Sequence, residues 1–323
     1  MSDLPIHRAL SSASPIVYGC MGLGGPWDTG DITRADVDTA RRCIEAALAA
    51  GITVFDHADI YALGKAESAF GAALAESPGL RERMIIQSKC GIRFADAQGT
   101  KRYDLSPEWI MASVDGSLQR LGIEQLDILM LHRPDPLMAP DAIAEAFSRL
   151  QAQGKVAHFG VSNMNAPQIA LLQRAIAQPL VVNQMEMSLL ARDAFEEEVL
   201  AGHRGGASVN FGPGLIEQGV AGEIQLQAWG SLAGGWLSGR NLSGAMPTRQ
   251  RLAERVAQLA RSYATSREAI VLAWLMRHPA RIQPVIGTTD AARIAACGQA
   301  TDISLLREDW YSLWETARGE ELP

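Results

Sequence analysis

The chain has 323 residues, 47% hydrophobic and 20% charged, a composition and length that suit one α/β barrel of about 250 residues plus loops. A formal net charge of −7 and a pI near 5.4, without clustered basic residues, exclude nucleic acid or a membrane surface as the main partner. No apolar stretch approaches the ~18 residues that cross a bilayer, and Cys20, Cys43, Cys90 and Cys297 are scattered without a C-x-x-C pair, so a cytoplasmic protein with reduced thiols is expected.

In chain order, a first strand near 16–20 leads into GCMGLGG. A Rossmann glycine fingerprint needs a helix directly after its glycines, whereas Pro26-Trp27-Asp28-Thr29-Gly30 reads as a loop. A helix over Arg34–Ala50, closed by Gly51, precedes strands at 52–56 and 84–88. Proline in a first helical turn opens Pro107–Leu121, and Gly122 closes it. Then follow a strand at 127–131, a helix over Asp141–Gln153 ending at Gly154, a strand at 156–161, a helix over Pro167–Ala177 and a strand at 180–183. The stretch Gly202–Gly214 is too rich in glycine for a regular element and reads as an exposed, mobile loop. A strand at 224–228 is followed by a glycine-rich loop from Gly230 to Gly244, helices over Arg249–Tyr263 and Arg267–Arg277, and a last strand at 283–286. This alternation predicts an α/β chain forming a (β/α)8 TIM barrel with extra helices and a C-terminal tail, a single domain over residues 1–323.

In a parallel barrel the C-terminal strand ends meet on one face. The runs VFD, IIQSK, ILMLH, FGVSN, LVVNQ, IQLQAW and PVIGT therefore bring Asp56, Lys89, His132, Asn163, Gln184, Trp229 and Thr288 together. Tyr61 lies just beyond the first of these ends. A phenol with a pKa near ~10 is a poor proton donor at neutral pH, and an adjacent ammonium lowers it. Lys89 is the natural source of that charge, Asp56 of the carboxylate that keeps the lysine in place, and His132 of a hydrogen bond to a substrate oxygen. Such coupling predicts turnover that changes across the neutral range. Singly, each residue also fits a helix cap or a surface ion pair. A metal site at Asp56, His57, Asp59 and His132 fails on strand alternation, because His57 points away from the face that Asp56 shares with Ala58.

The run Asp56-His57-Ala58-Asp59-Ile60-Tyr61, the lysine of IIQSKCG and the histidine of LHRPDP resemble the aldo-keto reductase superfamily, most of all its bacterial short-loop general-type members, from about Val17 to Ala300. The resemblance implies an NADPH-dependent carbonyl reductase acting on a small-molecule substrate, with Tyr61 as proton donor, Asp56 and Lys89 tuning it and His132 orienting the carbonyl. It also implies that Ser162, Asn163 and Gln184 hold the nicotinamide carboxamide, a group that needs both donors and acceptors. Trp229 stands where the family stacks an aromatic ring on the nicotinamide. Gly230-Ser231-Leu232 departs from the common S-P-L yet still lets backbone amides approach a pyrophosphate. Cys20 and Met21 fall near the cofactor at the end of the first strand.

PVIGTTDAARIAAC resembles the adenosine-phosphate segment of the same superfamily, with Gly287, Thr288 and Thr289 leading into a helix that carries Arg293. This local anion site favours NADPH over NADH. No lysine precedes Thr288, and Cys297 occupies a position where the family often places an asparagine against adenine. Selectivity is expected from Trp27, Phe94, the loop after Leu190 and Trp236. Some relatives implied by the resemblance are regulatory or sensor subunits that bind NADPH with slow or no turnover, and that reading is the alternative.

Overall fold

A computed structural model describes residues 4–323, so the first three residues of the expected domain lie outside it. The strands are β1 (Val17–Gly19), β2 (Val54–Asp56), β3 (Ile85–Cys90), β4 (Ile92–Arg93), β5 (Arg102–Tyr103), β6 (Leu126–Leu131), β7 (Val156–Ser162), β8 (Leu180–Glu186), β9 (Gln225–Trp229) and β10 (Gln283–Ile286). All but β4 and β5 pair in parallel and close into a barrel in the order β1-β10-β9-β8-β7-β6-β3-β2. Every expected barrel strand is present, and the one expected over 180–183 runs on to Glu186.

Alternation along each strand sorts the side chains. In β2 and β3, Phe55 and Ile86 pack outward beneath the helices, while Val54 and Ile85 fill the barrel interior. The same period turns Asp56, Gln87 and Lys89 inward, toward the C-terminal rim. The N-terminal turn brings Ile6 into contact with the interior cluster, which also contains Val17, Ile128 and Val182.

The helices begin where local chemistry satisfies their free N–H groups. Thr33 and Asp36 form a capping box for Arg34–Ala49, Ser106 accepts from the Trp109 N–H ahead of Pro107–Leu121, and Asn165 with Gln168 caps Ala166–Ala175. Four features depart from expectation. A hairpin, β4 with β5, projects between β3 and the next helix. The stretch Gly202–Gly214 is largely exposed but contains a 3-10 turn over Arg204–Ser208, capped by His203. Short helices over Asp193–Val199 and Leu215–Ala221 flank it, too brief to show a clear 3.6-residue period. The expected tail is instead the helix Arg307–Arg318, anchored by Trp310 stacking on Trp274 with ring centres 5.4 Å apart. Among the described residues no helix is long and apolar enough to cross a membrane.

Candidate active site

Asp56 is the last residue of β2, and the ladder continues past it, with His57 N–H donating to Gln87 O and Asp59 N–H to Lys89 O. A tight turn with left-handed Ala62 and Leu63 (φ 47° and 59°) then returns Tyr61 over the barrel mouth. Lys89, 1% exposed, donates from Nζ to Asp56 Oδ2 at 2.7 Å, to His57 O at 3.0 Å and to Tyr61 Oη at 3.0 Å. The His132 ring stands edge-on to Tyr61, centres 6.1 Å apart. The four residues expected at one rim are neighbours.

The electrostatics differ from the expectation in one respect. Burial is the largest influence on the Tyr61 hydroxyl and pushes its pKa up; Lys89 pulls it down through charge and hydrogen bond, Asp56 opposes, and the net direction is upward. Tyr61 therefore stays a phenol throughout the neutral range. Burial pulls Lys89 down, but Asp56 and Tyr61 outweigh it and hold the amine charged. Burial, then Lys89, then Arg133 drive His132 down to about 2, so its ring is neutral.

Beneath this cluster lies a set of amides that sequence reading missed. Asp56 Oδ1 accepts from Gln87 Nε2 at 2.6 Å and Gln184 Nε2 at 3.0 Å. Gln87 and Gln227 exchange hydrogen bonds of 2.8 and 3.1 Å, Gln227 donates to Gln283 at 3.2 Å, and Gln283 donates to Ser14 O at 2.7 Å. Gln87, Gln227 and Gln283 are fully buried, and pairing with one another meets the cost of placing amides in a barrel interior. The signal was available: Gln87 lies two residues before Lys89, on the same face.

A cleft of about 690 Å³ runs from Tyr61 and His132 to Arg293. Met21, Ser162, Asn163, Gln184 and Trp229 border its catalytic half, and Gly230, Ser231, Leu232, Gly287 and Thr288 its remainder. Two residues expected at the cofactor do not line the cleft. Cys20, after Gly19, is fully buried in the core with Sγ toward Tyr18 O. Thr289, after Thr288, is exposed beside Gly22, outside the cleft lining. Cys297 is buried in the core. Of the residues expected to set selectivity, Trp27 lines the cleft; Phe94, Trp236 and the loop after Leu190 do not. His57 packs against Phe70, ring centres 4.6 Å apart, on the side of β2 away from Asp56.

The polar groups fit a bound nicotinamide in a particular sense. Asn163, at a left-handed φ of 58°, spends Nδ2 on His132 O and Ser162 Oγ, while its Oδ1 accepts from Trp229 Nε1. Ser162 donates to Gln184 O, and Gln184 spends Nε2 on Asp56 and Gln227. The remaining capacity of the three is acceptor capacity, suited to the amino end of a carboxamide rather than to both ends. At the far end, Arg293 pairs with Glu268 at 3.0 Å and donates to Ser238, close to left-handed Gly235. Nearby, Arg240 and Arg249 lie against Trp236, 4.2 and 4.6 Å from its ring. Of these guanidinium groups Arg293 lines the cleft, where it fits a phosphate-bearing ligand.

Asp59 lies behind this wall. Burial, reinforced by Glu67, raises its pKa from 3.8 to about 7. The folded chain therefore holds a proton that the unfolded chain releases near pH 4, so stability falls as pH rises from about 4 to about 7 and is level above. Asp59→Asn is expected to stabilise the protein more at pH 8 than at pH 5, by about 2–3 kcal/mol or several degrees in Tm, read by calorimetry at both values. An equal shift at both values would contradict the assignment.

The aldo/keto reductase family model matches residues 15–318. A 6-dehydroglucose reductase of Agrobacterium fabrum is 38% identical over 314 residues, 96% of each chain. The oxidoreductase YdhF of Escherichia coli is 36% identical over 282 residues, 87% of this chain and 88% of its own. Among solved structures, a glycerol dehydrogenase from Gluconobacter oxydans superposes with a TM-score of 0.78 at 22% identity, over 95% of this chain and 92% of its own. With its closed barrel and a family match across nearly its whole length, the chain belongs to the aldo/keto reductase family and is an oxidoreductase.

Proposed function

We propose that this is a single-domain, cytoplasmic, NADPH-dependent reductase of aldehydes or ketones. The observation that carries the reading is Lys89 Nζ bonded at once to Asp56 and Tyr61 at the base of the cleft. When bound, the cofactor supplies a hydride to the carbonyl carbon. Tyr61 donates its phenolic proton to the carbonyl oxygen, because that oxygen gains charge as its carbon is reduced. Lys89 stabilises the phenolate left behind, Asp56 keeps Lys89 in place, and neutral His132 orients the carbonyl. Gln184 and Asn163 accept from the carboxamide, Ser162 holds Asn163 in position, and Trp229 covers the nicotinamide ring. Met21 and the run Gly230-Ser231-Leu232 border the cofactor's path. Gly287, Thr288 and Arg293 receive the adenosine phosphate.

The test is NADPH absorbance during incubation with a panel of aldehydes and ketones, with NADH in parallel. The panel includes an oxidised sugar, since two relatives bear the name 6-dehydroglucose reductase. Oxidation of NADPH by simple carbonyls supports the reading; tight NADPH binding with no turnover anywhere on the panel favours a regulatory or sensor subunit. Arg293→Gln is expected to raise the NADPH KM about 10-fold or more and to leave the NADH KM nearly unchanged, because a charge-assisted contact to the extra phosphate is lost. Equal effects on both cofactors would remove Arg293 from that role.

A further inference from the structure

Arg133 follows His132 at the exit of β6 and lines the cleft at its catalytic end. Its guanidinium carbon lies 6.0 Å from the centre of the Trp229 ring. Among the described residues it has no hydrogen bond or ion pair. The nearest acid in sequence, Asp135, is buried and accepts from the Leu105 and Leu137 N–H groups. The other charged residue lining this end is Asp56, and Lys89 neutralises it. In a chain of net charge −7, one half-buried cation is thus left uncompensated beside the proposed reacting groups.

We infer that Arg133 is a specificity-determining residue that receives an anionic group, carboxylate or phosphate, on the carbonyl substrate. A guanidinium presents paired N–H donors that match two oxygens of such an anion, and the apolar wall of Trp229 limits competing water. Binding energy at this second point, set against a carbonyl held by Tyr61 and His132, fixes the substrate at two ends. The inference rests on the carbonyl-reductase reading.

The experiment compares matched pairs: succinic semialdehyde with butanal, and glyceraldehyde 3-phosphate with glyceraldehyde, each reduced with NADPH. The wild-type protein is expected to favour at least one anionic member by about 10-fold or more in kcat/KM. Arg133→Met keeps the apolar stem and is expected to erase that preference while leaving the neutral members and the Kd for NADPH, read by fluorescence, nearly unchanged. Arg133→Lys should restore part of it, since charge returns without the fork. Which pair responds identifies the anion. Turnover of neutral members with no preference, or a preference untouched by Arg133→Met, overturns the inference and leaves the reductase reading standing. An equal loss on both members of a pair assigns Arg133 to polar contact with a neutral substrate, and a raised NADPH Kd assigns it to the cofactor; either result overturns the inference. No turnover on any member overturns the inference, and the wider carbonyl panel then decides the reductase reading.

Discussion

Tyr61→Phe is expected to lower kcat for carbonyl reduction by about 10²- to 10⁴-fold, the range for losing a positioned general acid, with NADPH affinity close to normal. Phe occupies nearly the same volume, and Lys89 keeps its bonds to Asp56 Oδ2 and His57 O. The loss is therefore chemical rather than structural. Since burial leaves the hydroxyl protonated through the neutral range, wild-type reduction should be level from about pH 6 to pH 8 and fall only in the alkaline limb. Oxidation of the matching alcohol needs the phenolate and should rise with pH over the same interval. Single-turnover rates in both directions check this, and a Phe variant that reduces at the wild-type rate removes Tyr61 from its role.

Lys89→Met is expected to cost both activity and stability. The amine is fully enclosed and pairs with a carboxylate only 2% exposed. Removing one partner of a buried ion pair leaves an uncompensated charge, a loss of about 3–5 kcal/mol, or roughly 4–7 °C in Tm for a chain of this size. Activity falls as well, because the charge that opposes the upward push of burial on Tyr61 is gone. Pairing the change with Asp56→Asn separates the two effects. The double variant should recover most of the Tm, since no lone carboxylate remains, and none of the turnover. Recovery of turnover together with Tm would show that Lys89 acts through folding alone.

Much of the site could be read along the chain because a barrel strand has a strict two-residue period. Once Asp56, Lys89 and His132 are read as strand-end residues, their inward direction follows. Cys20 and Thr289 were expected near the cofactor from the resemblance alone, and the fold places the first in the core and the second on the surface outside the cleft lining. Gln87 could have been placed on the face of Lys89 by the same period, but its partners Gln227 and Gln283 come from distant strands and only the closed barrel brings them to it. The helix Lys65–Ala75 lacks a strong polar face because most of its residues are buried, and at Gly71 it lies so close to its neighbour that a side-chain carbon would come within 2.3 Å of Arg120 O.

Local order of residues determined the barrel, its strand ends and the identity of the groups at its mouth, since alternation, caps and turns act over a few residues and are written in them. Only the folded chain decided the direction of the Tyr61 shift, the pairing of Gln184 with Asp56 and the isolation of Arg133. Each of these depends on how much water and which distant charges surround a side chain, and those are set by segments up to 128 positions away.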